Sequence, residues 1–241
     1  MSLKNVYCRA YQVCFAAGAR LLPWRRPECI TRLGSFARVP SLLAERGVRK
    51  PLIVASRRQS QTPAFQEMLG HLAGWSLYTG VTANPRVETV EAIAAQYRRS
   101  GCDGFVAVGG GSPMDAAKAA AALIARPGRT VAQLGGLLKV RRRVPPLVAV
   151  PTTAGTGSET TIAAVVTGSD HHKYAINDLC LIPQAAVLDP ALSASLPPDV
   201  TAQTGMDALT HAVEAYIGRF YNTAETRRMA ERAVAGIFRH L

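Results

Sequence analysis

The sequence predicts an α/β fold, with a parallel-sheet nucleotide-binding domain followed by the start of an all-helical domain. Two observations predict the sheet. Short runs rich in Val, Ile and Leu alternate with segments of helical periodicity, and one of these runs enters a helix through a glycine turn. A third observation predicts the helical part, because the strand pattern stops after Asp189-Pro190 and the rest of the chain is helical in pattern.

The predicted elements divide the chain into three parts. The strands are expected in "PLIVAS" (51–56), "GFVAVGGGS" (104–112), "PPLVAVP" (145–151) and "AAVLDP" (185–190), with helices between them at 87–100 and 113–125. The segments "SLPPDVTAQTGMDALTHAVEAYIGRF" and "AETRRMAERAVAGIFRHL" follow as helices. We therefore expect a leader at 1–27, a dinucleotide-binding α/β domain at 28–193, and the first part of a helical domain at 194–241.

The leader segment is basic and has no acidic residue before Glu28. Arg20 interrupts its apolar run, which favours an amphipathic helix lying on the body of the protein, ended by Pro23 and Pro27, over a secretory signal. A mitochondrial transit peptide is the alternative. Residues 1–60 hold twelve Lys or Arg against two acids, which is ten of the twelve excess positive charges. We expect a solvated basic surface, and the alternative is an affinity for anionic partners.

The cysteines and the hydropathy favour a cytoplasmic protein. The five Cys contain no C-x-x-C pair and their number is odd, which fits reduced thiols better than a disulfide framework. No stretch approaches about 18 uninterrupted apolar residues, so we expect no membrane span.

Three glycines follow a predicted strand in "VAVGGGSPMDAAK". Ser112 is expected to cap the next helix, with Pro113 in its first turn and Asp115 near its positive end. Glycines let backbone N–H groups approach a phosphate, which the helix N-terminus then favours. The segment matches neither of the common glycine-rich phosphate motifs, so a phosphate site and a plain strand-to-helix turn both remain open.

The segment "PTTAGTGSETT" (151–161) follows the next predicted strand. Six hydroxyl residues and two glycines lie there, at the strand end where open α/β sheets bind ligands. We interpret it as a ligand loop. A polar loop with a Ser or Thr cap is the alternative.

The segment "TGMDALTHAVEAY" (204–216) places Asp207 and His211 four residues apart on a predicted helix. They would lie one turn apart on one face and could share a metal ion. Tight sites need three or four ligands. A surface hydrogen bond is one alternative, and a capping role for Thr204 and Asp207 at a helix start is another.

Taken in order, "GGGSPMDAAK", "PTTAGTGSETT", "AVLDP" and "TGMDALTHAVEAY" resemble the iron-containing alcohol dehydrogenases, group III of the alcohol dehydrogenases. The resemblance runs from about Pro27 to Leu241, and Asn84-Pro85 also matches a family position. It implies an α/β domain that binds NAD(P) and a helical domain that holds Fe2+ or Zn2+. The implied reaction is hydride transfer between a small alcohol or aldehyde and the nicotinamide.

The resemblance also implies roles for single residues. The pyrophosphate would lie against Gly109, Gly110, Gly111 and Ser112, and the nicotinamide and ribose would lie along Thr152, Thr153 and Thr156. Lys173 matches a family lysine near the cofactor. The predicted cofactor site is completed by Ser56, Arg57, Asn84 and Asp115. Asp207 and His211 match the first two metal ligands, and no catalytic residue is assigned beyond the metal site.

The metal site is one departure from the family pattern. The family's other two ligands are histidines farther along the helical domain, and none of the remaining histidines, His71, His171, His172 and His240, matches them. We therefore expect an incomplete metal site, a chain that corresponds to the first part of a family member, and impaired activity.

The end of the first strand is the second departure. Ser56 stands where many family members have an acid that receives the ribose 2′-hydroxyl, and Arg57 and Arg58 follow it. A carboxylate repels a 2′-phosphate, whereas Ser with Arg can bind one. We expect a slight preference for NADP over NAD, and the alternative is that the arginines point to solvent.

Other functions remain as alternatives. The chain could be a catalytically inactive cofactor-binding remnant, or a related glycerol dehydrogenase or maleylacetate reductase type. The residues of the motifs "PTTAGTGSE" and "DALTHAVEAY" favour the alcohol dehydrogenases. The sequence contains no recognised nucleic-acid motif, so no specific nucleic-acid partner is expected. A homo-oligomer is left open.

Overall fold

The computed structural model describes residues 3–218 and 222–241. Their contacts form two compact units. One is an α/β unit of residues 25–196, and the other is a helical unit that combines the leader with the residues from 197 onward. The predicted boundaries at 27/28 and 193/194 each differ from these by three residues, and the grouping of the leader with the C-terminal helices was not predicted.

A parallel sheet forms the centre of the α/β unit. The strands are β1 (Glu28–Thr31), β2 (Pro51–Ala55), β3 (Ser76–Tyr78), β4 (Gly104–Gly109), β5 (Gly136–Leu137), β6 (Leu147–Pro151), β7 (Ala163–Thr167), β8 (Lys173–Asn177) and β9 (Ala185–Leu188). Within the described residues the central sheet has six of these strands, in the spatial order β1-β9-β6-β4-β2-β3. A smaller sheet has the order β5-β8-β7.

The central strands β2, β4 and β6 are buried along their whole length. Their side chains alternate between two apolar cores: Leu52 and Phe105 belong to one core, whereas Ile53 and Val106 belong to the other. Because both faces are covered, the strands are apolar throughout, which is the pattern that predicted them. The predicted α/β fold class is confirmed.

The helices lie around the sheet and in the second unit. They are α1 (Leu3–Arg20), α2 (Val39–Glu45), α3 (Arg57–Ser60), α4 (Pro63–Gly70), α5 (Val87–Arg99), α6 (Gly111–Ala125), α7 (Val131–Leu134), α8 (Pro198–Ile217) and α9 (Ala224–His240). Short 3₁₀ turns occupy residues 35–38, 158–160, 179–181 and 190–192.

The helical unit is built on α8 and α9, which pack against each other. The leader helix α1 ends at Arg20, before the two prolines, and the Trp24 indole Nε1 donates to the Ala19 carbonyl at 2.7 Å just past its end. No described helix of the protein combines the length and the apolar character needed to cross a membrane. All five cysteines are free thiols.

Candidate functional site

Three neighbouring strands end at one edge of the sheet. β4 lies between β2 and β6, and all three run parallel. Ala55 is opposite Val108, and Gly109 is opposite Pro151, so the segments that follow these strands emerge side by side. The glycine turn (residues 109–112) and the threonine loop (residues 152–157) are therefore neighbours at the carboxyl edge, where open α/β sheets bind ligands.

The glycine turn connects β4 directly to α6. Gly109 has φ +147°, and a Cβ there would lie 2.8 Å from the Pro113 Cγ, so both conformation and space require glycine. Gly110 is the N-cap and the helix begins at Gly111. The prediction that Ser112 caps the helix is wrong: Ser112 already lies in the first turn. The amides of Gly111 and Ser112 have no intrahelical acceptor in this position.

The threonine loop packs against the glycine turn. A Cβ on Gly110 would lie 3.3 Å from the Thr153 Oγ1, and one on Gly111 would lie 3.2 Å from the Thr156 Cγ2. Thr152 is buried, and its amide donates to the Gly109 carbonyl at 2.9 Å. The structure thus brings together the predicted residues Gly109–Ser112 with Thr152, Thr153 and Thr156.

The Thr153 hydroxyl is buried and has no hydrogen-bond partner among the described residues. A buried hydroxyl without a partner is costly unless a ligand or water satisfies it. A dinucleotide fits the residues present, because a diphosphate can accept from the free amides at the start of α6 and a ligand group can bond to Thr153.

The buried Lys118 side chain lies next to the segment that follows this loop, and the carboxyl groups of Asp115 and Glu159 are near enough to affect its charge. The Lys118 ammonium is fully buried, and burial lowers its pKa to about 8, although Asp115 and Glu159 oppose that shift. Burial also raises the pKa of Asp115 and that of Glu159. Asp115 was predicted to bind cofactor, but its carboxylate accepts from the Ser158 hydroxyl at 2.7 Å and from the Val165 amide at 3.1 Å.

Sequence reasoning missed Lys118 and Ser158. A signal was present: Lys118 is a single cation inside the otherwise apolar stretch "AAKAAAALIA" of α6. A lysine that interrupts a buried face must find oxygen partners.

Ser56 and Arg57 lie at the end of β2, next to the strand that carries the glycine turn. Ser56 is the N-cap of α3, and its hydroxyl accepts from the Gln59 amide at 3.2 Å. The Arg57 side chain is exposed.

The structure places Asn84 and Lys173 beside β7. Asn84 is exposed with φ +53°, and the next residue, Pro85, accepts from the Thr167 amide at 2.8 Å. Lys173 is exposed and pairs with the same Thr167 across the β7–β8 hairpin. Asn84 and Lys173 therefore both lie beside Thr167, the last residue of β7.

The predicted metal pair lies in α8. The Asp207 Oδ1 and the His211 Nε2 are 3.8 Å apart, and both side chains are about half exposed. Among the described residues, no group of three or more His, Cys, Asp or Glu side chains could hold a metal ion. The alternative of a cap at Thr204 is wrong, because α8 starts at Pro198 and the Thr204 hydroxyl donates to the Val200 carbonyl inside the helix.

Comparison with known proteins gives the chain its family. Residues 27–190 match the family described as iron-containing alcohol dehydrogenase, and residues 201–241 match the C-terminal domain of the same family. The chain belongs to the iron-containing alcohol dehydrogenases. The predicted resemblance is therefore confirmed.

Individual members of this family are similar over part of their length. A 4-hydroxybutyrate dehydrogenase of Cupriavidus necator is 39% identical over 181 residues, which cover 73% of this chain and 47% of that protein. A lactaldehyde reductase of Escherichia coli (strain K12) is 36% identical over 192 residues, or 77% of this chain and 50% of that one. The chain spans about half the length of these two relatives.

Solved structures agree with the fold. A 1,3-propanediol oxidoreductase matches with a TM-score of 0.86 and 33% identity, covering 91% of this chain and 58% of that one. A sulfoacetaldehyde reductase from Bifidobacterium kashiwanohense in complex with NAD+ matches with a TM-score of 0.82 and 29% identity, covering 91% and 59%.

Proposed function

We propose that the chain binds a nicotinamide dinucleotide with its diphosphate against residues 109–112. The observation that carries this proposal is the close approach of the glycine turn to the threonine loop, which leaves the Thr153 hydroxyl buried and unpartnered. The amides of Gly111 and Ser112 would bind the diphosphate, and Thr153 would orient the ligand beside it. When bound, the nicotinamide supplies the hydride acceptor or donor.

We propose that this site serves hydride transfer between a small alcohol or aldehyde and NAD(P). Membership of the iron-containing alcohol dehydrogenases supports the reaction type. The names of the relatives, 4-hydroxybutyrate dehydrogenase and lactaldehyde reductase, support a small oxygenated substrate. The roles given to single residues belong to this proposal, and so does the dehydrogenase activity of the chain.

The proposed metal site would have two protein ligands among the described residues, Asp207 and His211, which are too few to hold an ion tightly. For this reason coenzyme binding without turnover is the second candidate function of the 241-residue chain. We propose Fe2+ or Zn2+ as the ion that these two side chains would help to hold.

We propose a slight preference for NADP. Ser56 and Arg57 lie at the strand end beside the glycine turn, and no negative charge stands at residues 56–58. An exposed guanidinium can pair with a 2′-phosphate. The cytoplasmic location remains a prediction, which cell fractionation would check.

Isothermal titration of the chain with NADH and with NADPH tests the proposal. Saturable one-to-one uptake is expected, and Gly111→Val should weaken it at least about tenfold because its side chain would fill the space beside Thr156. Gly70→Val is the matched control, since a Cβ at Gly70 would meet nothing within 4 Å. A folded wild-type chain that takes up neither coenzyme would overturn the proposal.

A further inference from the structure

The Lys118 ammonium is surrounded by oxygens of the segment that follows the threonine loop. Its Nζ donates to the carbonyls of Ser158, of Thr161 at 2.9 Å and of Ala163 at 3.1 Å. It also contacts the Thr161 Oγ1 at 3.0 Å and the Ser158 Oγ at 3.4 Å. One buried ammonium group therefore bonds to three residues of the segment 158–163 at once.

Asp115, which lies about one turn before Lys118 on α6, also forms hydrogen bonds with this part of the chain. Its carboxylate accepts from the Ser158 hydroxyl and from the Val165 amide, the latter in β7. Asp115 and Lys118 are three residues apart and so lie on one helix face. Ser158 contacts both of them, which makes the two side chains a single connected network.

The position of this network on α6 relates it to the candidate site. The same helix carries the glycine turn at its N-terminus, and the held segment directly follows Thr152–Thr156. Lys118 is fully buried and Asp115 has both carboxylate oxygens engaged within the protein, so neither needs a ligand to complete its contacts. The network therefore lies next to both parts of the candidate site, the start of α6 and the loop of threonines.

We propose that Lys118 and Asp115 are positioning residues, which lock the threonine loop against the glycine turn at the spacing that a nicotinamide coenzyme needs. This inference rests on the proposed function. Neither residue contacts the coenzyme. Their effect on it passes through Ser158, Thr161 and Ala163 to Thr153 and Thr156.

The test compares Lys118→Met with variants of the loop itself. We expect Lys118→Met to raise the NADH dissociation constant about tenfold or more and to speed amide hydrogen exchange across residues 158–165. Thr161→Val removes one acceptor and should shift both values in the same direction by less. Thr161→Ser keeps the hydroxyl and should restore the wild-type values.

A core variant provides the control for a general loss of stability. Leu42→Ala empties space in the other apolar core, away from α6, and should lower the melting temperature without raising the NADH dissociation constant or loop exchange. A folded Lys118→Met chain that binds NADH as tightly as wild type, with unchanged loop exchange, would overturn the positioning role alone. A wild-type chain that takes up no NADH would overturn the proposed function and this role together.

Discussion

Lys118 shows how one residue links the stability of the protein to pH. The pKa of its ammonium is lowered from the ordinary 10.5 to about 8, because burial outweighs the opposing effect of Asp115 and Glu159. Between about pH 8 and 10.5 the unfolded chain therefore holds a proton that the folded chain has released. The free energy of unfolding contributed by this group must rise with pH across that window.

The Lys118→Met variant isolates this effect. The free energy of unfolding of wild type relative to the variant should increase between pH 7 and 10.5 by on the order of 3 kcal/mol, which is the energy equivalent of the shift from 10.5 to about 8. Urea unfolding at several pH values measures it. The raised pKa values of Cys180 and Tyr97 affect both proteins equally and cancel. Lys139→Met, at an exposed lysine, is the control, and a difference that stays constant with pH would contradict the prediction.

Ser56 offers a substitution that changes charge and keeps the local fold. Asp and Asn cap helices as well as Ser does, so both Ser56→Asp and Ser56→Asn should keep α3. The carboxylate of Ser56→Asp should raise the NADPH dissociation constant at least about tenfold relative to that of NADH, whereas Ser56→Asn should leave the ratio near that of wild type. Titration of each variant with both coenzymes measures the ratio. Equal ratios in the two variants would place Ser56 away from the ribose.

Part of the site could be predicted at the residue scale. The glycines and threonines follow strands in the sequence, and parallel strands bring their carboxyl ends to one edge, so their meeting follows from the pattern. The partners of Asp115 could not be predicted, because Ser158 and Val165 are 43 and 50 residues away and only tertiary packing joins them. The N-cap lies at Gly110 instead of the predicted Ser112, because the glycines themselves can adopt the capping and first-turn conformations.

At the scale of elements, apolar runs predicted the central strands and missed the peripheral ones. β2, β4, β6 and β9 were predicted from continuous Val, Ile, Leu and Ala runs. The hairpin β7–β8 was not, because its strands are only partly buried and carry Thr, Lys, Tyr and Asn among their apolar residues. β1 and β3 are four and three residues long, too short for periodicity to show.

The helix α8 sets the expectation for metal binding. It supplies Asp207 and His211 one turn apart, half exposed, with no third ligand among the described residues. We expect metal content well below one ion per chain after incubation with Fe2+ or Zn2+ and desalting, and little steady oxidation of small alcohols. Elemental analysis and an NAD(P)H absorbance assay measure the two quantities. Asp207→Ala should then change neither the metal content nor the oxidation rate. One metal ion per wild-type chain, lost in this variant, would contradict the prediction.

At the scale of the whole molecule, the buried apolar surface is distributed unequally between the two units. The α/β unit contains two apolar cores, one on each face of its sheet. In α8 and α9, the described residues that are buried are Gly205, Ala212 and Ala230, which are small. Large apolar side chains of these helices, including Met206, Ile217 and Phe238, are more than half exposed. Because apolar burial is the main source of stability, the two units should differ strongly in their resistance to opening.

Native-state hydrogen exchange would measure this difference within one sample. Amides of β4 and β6 should exchange only through global unfolding, whereas those of α8 and α9 should exchange at least about a hundredfold faster through local opening. A low concentration of urea should accelerate exchange in the helices before it affects the sheet, since a local opening exposes less surface. Val106→Ala serves as the internal check, because a cavity in the α/β core should accelerate exchange in the strands and leave the local opening of α8 and α9 unchanged. If the amides of α8 and α9 exchanged as slowly as those of β4, the two units would unfold as one. The stability of the helices would then not follow from the apolar burial within their own unit.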